Sequence, residues 1–201
     1  MRVGIFGGSF NPPHIGHLIV CDYALKDVFL DKVLLLPSGD HPFKRQISLT
    51  KTHRLNMSRL LSQQRDFLEV CDFEAIREGI SYTVDTLEEL SKNSDDSFFF
   101  ICGSDIIFGL TWWKNFRSLL KMVTIVCIPR AGTDNTKLLN EAERLNRDFG
   151  ADIVLLDQRH PPEISSSLIR SDVEKFREYI GDDVFEYIKT NRLYDGECDE
   201  D

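Results

Sequence analysis

The chain has 201 residues, 42% of them hydrophobic, enough for one sizeable core, so a single domain over 1–201 is the expectation. Its 33 acidic residues outnumber 24 basic ones, for a net charge of −9, which argues against a nucleic-acid-binding module. No run approaches the ~20 apolar residues of a membrane helix, and the opening MRVGIFGGSF does not read as a signal peptide. The scattered cysteines (Cys21, Cys71, Cys102, Cys127, Cys198) read as reduced thiols of a cytoplasmic protein rather than a disulfide or zinc framework.

In chain order, RVGIF predicts a buried strand, and GGSFNPPHIGH a loop running into the helical stretch HIGHLIVCDYALKDV. KVLLLPS is a second strand, stopped by Pro37, and TKTHRLNMSRLLSQQ a helix with Leu55, Leu60 and Leu61 on an apolar stripe. FLEVCDFE predicts a strand, YTVDTLEELSK a helix and SFFFICG a strongly buried strand. TIVCIPR and ADIVLLD are further strands, separated by the helical TKLLNEAERLNRDFG. From about residue 166 the chain closes with helices over SDVEKFREYI and DDVFEYIKTNRLY, then an acidic tail over about 195–201. Strands that are apolar throughout, alternating with helices, predict an α/β fold with a doubly wound parallel sheet and helices on both faces. In such sheets ligands bind beyond the carboxyl ends of the strands, which directs attention to five strand exits.

After the first strand, Gly7 and Gly8 permit positive φ or close backbone approach, so the loop through Ser9 and Phe10 can turn amides toward a ligand. Pro12 and Pro13 stiffen the turn before the helix. His14 and His17, three apart, share one face of the first turn, where the helix dipole favours anions. The loop lacks G-x-G-x-x-G and the Walker lysine, and the histidines lack the H-E-x-x-H pattern of a zinc site. By themselves they could equally be a structural pair. A second signal, ISSSLIRSD, puts Ser165, Ser166 and Ser167 at a helix start and Arg170 about one turn on, hydroxyls and a guanidinium fork suited to phosphate oxygens.

GGSFNPPHIGH together with ISSSLIR resembles the nucleotidyltransferase superfamily marked by H-x-G-H and I-S-S-T/S-x-x-R. SYTVDTL and GSDIIFGLTWWKNF narrow the resemblance to the bacterial nicotinate mononucleotide adenylyltransferases, over nearly the whole chain. The resemblance implies a Rossmann-like nucleotidyltransferase fold and transfer of adenylyl from ATP to nicotinate mononucleotide, giving deamido-NAD and pyrophosphate. It implies that His14, His17 and Arg170 act on the reacting phosphates, with Gly7, Gly8, Ser9, Phe10, Ser165, Ser166 and Ser167 around ATP. It places ribose hydroxyls on Gly103 and Asp105, the pyridine ring on Trp113, and its carboxylate on the amides of Tyr82 and Thr83, where Ser81 or Thr83 could also cap the helix. Lys44 and Arg130 would approach the mononucleotide phosphate; the family's P-P-H-K loop reads His41, Pro42, Phe43, Lys44 here, so Arg45 could share that role. Trp112 is left unassigned. Mg²⁺ is expected to be carried by the ATP phosphates, with no metal site in the protein. No nucleic acid or membrane partner is expected, and oligomeric state is not legible. Phosphopantetheine adenylyltransferases are shorter and lack Trp113 and SYTVDTL; a non-catalytic nucleotide sensor would bind ATP without releasing pyrophosphate.

Overall fold

The computed structural model describes residues 1–39, 49–92 and 94–195. Six strands, β1 (Arg2–Gly8), β2 (Lys32–Pro37), β3 (Leu68–Val70), β4 (Ser97–Gly103), β5 (Val123–Ile128) and β6 (Ile153–Leu155), form one sheet in the order β3-β2-β1-β4-β5-β6. Every pairing is parallel; Ile5 lies opposite Leu34 on β2 and Phe100 on β4. The chain runs outward from β1 through β2 to β3, then returns to place β4 on the other side of β1. That reversal opens a crevice beyond the ends of β1 and β4, where a doubly wound sheet binds its ligands.

The helices, in order, are α1 (Ile15–Asp27), α2 (Lys51–Ser62), α3 (Phe73–Ile76), α4 (Thr83–Ser91), α5 (Ser104–Gly109), α6 (Phe116–Met122), α7 (Asn135–Phe149), α8 (Ser166–Ser171) and α9 (Asp182–Thr190). Alternating strand residues feed two separate cores. Val33, Leu35, Phe99 and Ile101 pack with Leu18 and Cys21 of α1, Met57 and Leu61 of α2, Ile169 of α8 and Val184 and Ile188 of α9. Val3, Ile5, Leu36, Phe98 and Phe100 pack with Leu87 of α4, Ile107 of α5, Leu119 of α6 and Leu145 of α7. Each inner strand is therefore covered on both sides, which is why its sequence is apolar without alternation. Among the described residues no helix is long and apolar enough to cross a membrane.

Two expectations need correction. SDVEKFREYI is not one helix: α8 ends at Ser171, Asp172 accepts the Lys175 amide at 3.0 Å, and only a 3₁₀ turn over Arg177–Tyr179 follows. An Asp side chain that bonds an amide three residues on offers the backbone a turn in place of a helix. FLEVCDFE contributes just the three residues of β3, and its end turns into α3. GSDIIFGLTWWKNF leaves β4 at Gly103 as the strand exit expected there, and continues as α5, a 3₁₀ turn (Leu110–Trp112) and the start of α6.

Candidate active site

Of the two uses the sequence allowed the glycines after β1, positive φ and close backbone approach, the first is not taken. Neither Gly7 nor Gly8 has positive φ; both end β1, and the left-handed residue is Phe10, at φ 48°. Phe10 is 1% exposed, its ring edge-on to His17 at 5.0 Å and to Phe6 at 5.9 Å, so its side chain belongs to the core and only its backbone shapes the loop. Among the described residues, no atom beyond its chain neighbours lies within 4 Å of the position a Gly7 Cβ would take, so that strand end presents bare backbone.

His14 is the N-cap of α1 and His17 its third residue. The His14 amide donates to Nδ1 of His17 at 3.0 Å, and the His17 amide donates to the His14 carbonyl at 2.9 Å. Because Nδ1 of His17 accepts, the neutral ring carries its proton on Nε2, leaving Nε2–H as the donor. The two imidazoles lie 3.8 Å apart between centroids, tilted by 36°. Burial pulls His14 down to about 4. Burial, then the nearby His14, holds His17 well below the usual histidine range. At neutral pH the pair is uncharged. Nδ1 of His14 is buried without a hydrogen-bond partner among the described residues, an arrangement that a ligand's polar atom would relieve.

The serine-rich segment lies against the same loop. Ser165 caps α8 by accepting the Leu168 amide at 3.1 Å, and Ser166 Oγ donates to the Pro12 carbonyl at 2.8 Å. Arg170 donates to the Asn11 carbonyl at 2.9 Å and to Ser167 Oγ at 3.3 Å. Tyr194, after α9, donates to Asn11 Oδ1 at 2.8 Å. The two motifs, more than 150 residues apart, thus meet at Asn11 and Pro12.

Beyond β4, Arg130 Nε pairs with Asp105 Oδ1 at 3.0 Å. Gly103 makes that possible: a Cβ there would sit 2.7 Å from Asp105 Oδ1 and 2.8 Å from Arg130 Nε. The Arg130 charge also lowers the basicity of His17, after burial and His14. Trp113 is half-buried and edge-on to Phe100 at 5.8 Å, whereas Trp112 is 81% exposed. Lys114 bonds Asp85 of α4 at 2.9 Å and lies 4.2 Å from the Tyr82 ring centre, tying the Trp113 turn to the start of α4. Neither Ser81 nor Thr83 caps α4: its N-cap is Tyr82, without a side-chain hydrogen bond, and Ser81 Oγ is buried with no partner among the described residues. Lys44 and Arg45 lie outside the described residues.

Two residues escaped the sequence reading. Arg54, 2% exposed, donates to the Ser9 carbonyl at 2.8 Å and the Ser38 carbonyl at 2.6 Å. Its spacing from Ser58 and Leu61 would have put it on the buried face of α2. Glu74, also buried, accepts from Thr86 Oγ1 at 2.8 Å and from the Gly39 backbone, and burial pushes its carboxyl up. Nothing in the sequence marks it, since an acidic residue in the first turn of a short helix is ordinary. Among the described residues no three His, Cys, Asp or Glu side chains gather as a metal cage.

Sheet order and crevice together define an α/β nucleotidyltransferase fold. Residues 5–172 match the cytidylyltransferase-like family. The chain is 36% identical over 199 residues to a curated protein of Carboxydothermus hydrogenoformans, covering 96% of this chain and 98% of that one, and 33% identical over 199 residues, with the same coverage, to one of Clostridium acetobutylicum. Both carry the name "Probable nicotinate-nucleotide adenylyltransferase". The solved nicotinic acid mononucleotide adenylyltransferase of Plasmodium falciparum, complexed with NaAD, superposes with a TM-score of 0.73 over 96% of this chain and 97% of that one; at 22% identity it speaks for the fold. The chain belongs to the cytidylyltransferase-like family and, within it, to the nicotinate-nucleotide adenylyltransferases.

Proposed function

We propose that this protein transfers the adenylyl group of ATP to nicotinate mononucleotide, forming nicotinate adenine dinucleotide and pyrophosphate in NAD biosynthesis. A mononucleotide phosphate oxygen forms the new bond to the α-phosphorus while the bond to the bridging oxygen breaks and pyrophosphate leaves. The attacking phosphate is already ionised at neutral pH, so no general base is required. Catalysis is then positioning plus stabilisation of charge that develops in line. A divalent cation, Mg²⁺ in this proposal, enters as part of the ATP substrate, held largely by phosphates and water.

The observation that carries the reading is the neutral, tautomer-locked His14–His17 pair at the β1–α1 turn, which α8 joins through Asn11 and Pro12, with Asp105, paired to Arg130, just past the neighbouring strand β4. Nε2–H of His17, with His14, is assigned to the phosphate oxygens around the reacting phosphorus. Arg170, Ser166 and Ser167, with the Gly7–Phe10 backbone, are assigned to the leaving pyrophosphate. Asp105 and Gly103 take ribose hydroxyls, Trp113 the pyridine ring and Arg130 the mononucleotide phosphate. The uncapped start of α4 at Tyr82 and Thr83 suits the pyridine carboxylate, since first-turn amides favour an anion.

The test is pyrophosphate release from ATP and Mg²⁺ with nicotinate mononucleotide, beside the nicotinamide form. Fast release with the nicotinate form supports the reading; equal rates with both would remove the carboxylate assignment; no release from folded, ATP-binding protein would overturn it. His17→Ala is expected to lower kcat by ~10²-fold or more, the scale for one lost transition-state donor, with circular dichroism unchanged.

A further inference from the structure

The crevice holds two loops that must present two different substrates at a fixed distance, and one buried side chain touches both. Ser9 belongs to the loop leaving β1, on the ATP side. Ser38 follows the end of β2 and leads to Gly39, on the side of Ser81, Tyr82 and Thr83: a Cβ on Gly39 would lie 2.6 Å from Ser81 Oγ. The Ser38 amide already donates to the Gly8 carbonyl at 2.8 Å, the last rung between the two strands. Past that rung the backbones diverge, and the Arg54 guanidinium spans them, Nη1 on the Ser9 carbonyl and Nη2 on the Ser38 carbonyl.

Arginine is costly at a position that is 2% exposed on the apolar face of α2. Packing alone would be served by a leucine or methionine. What only arginine supplies is a rigid planar fork whose donors reach two carbonyls at once; a lysine ammonium is a point charge on a flexible stem. α2 itself is held firmly, with Ser58 Oγ bonded back to the Arg54 carbonyl at 2.8 Å and His53 and Asn56 bonded to Tyr187 of α9 at 2.9 and 3.0 Å. The fork is thus carried on a rigid element.

We propose that Arg54 is a positioning residue that locks the Ser9 segment of the ATP loop to the Ser38 segment beside the mononucleotide site, so that each substrate, by fixing the segment it contacts, favours binding of the other. The identity of the two substrates rests on the function proposed above; the coupling does not require Arg54 to touch either.

The experiment compares wild type, Arg54→Lys and Arg54→Met. It measures kcat, both KM values, and the Kd of a non-hydrolysable ATP analogue with and without nicotinate mononucleotide. Wild type should bind the analogue several-fold more tightly with the mononucleotide present. In both folded variants that factor should fall toward one and kcat should drop about 10- to 100-fold, the scale for misplacing reacting groups by about an ångström. Lysine should not rescue. Variants with a lower melting temperature but unchanged kcat, KM and coupling would overturn the proposal, as would a change confined to one substrate. Should neither variant fold, the wild-type measurement still decides, because a coupling factor of one would overturn it. Wild type that releases no pyrophosphate with nicotinate mononucleotide would defeat the proposed function instead, a separate outcome.

Discussion

Two imidazoles whose ring centres lie 3.8 Å apart cannot both hold a proton cheaply; at an effective dielectric of about 20 their repulsion is on the order of 4 kcal/mol. Burial adds to this, and the pair is neutral before any ligand arrives. A neutral donor that accepts on one nitrogen and donates from the other has a fixed direction, which suits charge that develops in one place during transfer. Proton NMR of the ligand-free protein should show the His14 ring titrating near 4; a midpoint at 6 to 7 would contradict the neutral pair. His17→Asn makes a complementary case. An asparagine oxygen can still accept the His14 amide while its NH₂ donates, so this variant should retain more kcat than His17→Ala. Equal losses would mean that the imidazole is needed for more than its Nε2–H.

Elements meet at this site through small contacts whose geometry leaves no slack. The segment after β2 is pressed against α3, and a Cβ on Gly39 would lie 2.5 Å from the Glu74 carbonyl oxygen. That obstacle is backbone, so no rotamer change relieves it. Gly39→Ala should destabilise the protein by about 1–3 kcal/mol, the usual range for overpacking, read as a lower urea midpoint. It should also raise the KM for nicotinate mononucleotide more than that for ATP, because Gly39 adjoins Ser81 and the start of α4 rather than the phosphate loop. A Gly39→Ala protein with unaltered constants for both substrates would separate this segment from the mononucleotide site.

For the whole molecule, buried titratable groups make stability depend on pH in two opposed ways. The histidines have depressed values in the native state, so the unfolded chain binds more protons between about 4 and 6.5, and stability falls as pH drops through that window. Glu74 is raised, so the native state holds its proton longer, and stability is lost as pH climbs from 4.5 through its folded value. Urea melts at pH 7 and pH 4.5 should show wild type losing about 2–3 kcal/mol more than His14→Asn, from a shift of 6.5 to about 4 at 1.36 kcal/mol per unit. Glu74→Gln, which keeps an acceptor for Thr86, should be at least as stable as wild type at pH 7. A large loss there would mean that the ionised carboxylate is needed.

What the sequence determined by itself is what depends on local pattern. Apolar runs without alternation declared strands buried on both sides, and their alternation with helical periods declared a parallel, doubly wound sheet. GGSFNPPHIGH and ISSSLIR carried the family and most of the candidate site, because residue type and spacing near a strand exit already point to anion-facing chemistry. The tertiary structure alone decided which groups share partners. It put the left-handed turn at Phe10 with Gly7 and Gly8 in the strand, and left α4 without the side-chain cap that Ser81 or Thr83 could have made. It brought α8 onto Asn11 and Pro12, and set Arg54 between Ser9 and Ser38. Those facts hang on hydrogen bonds between segments far apart in the chain. A carbonyl carries no side-chain identity, so no pattern of residues could announce which carbonyls a buried guanidinium would find.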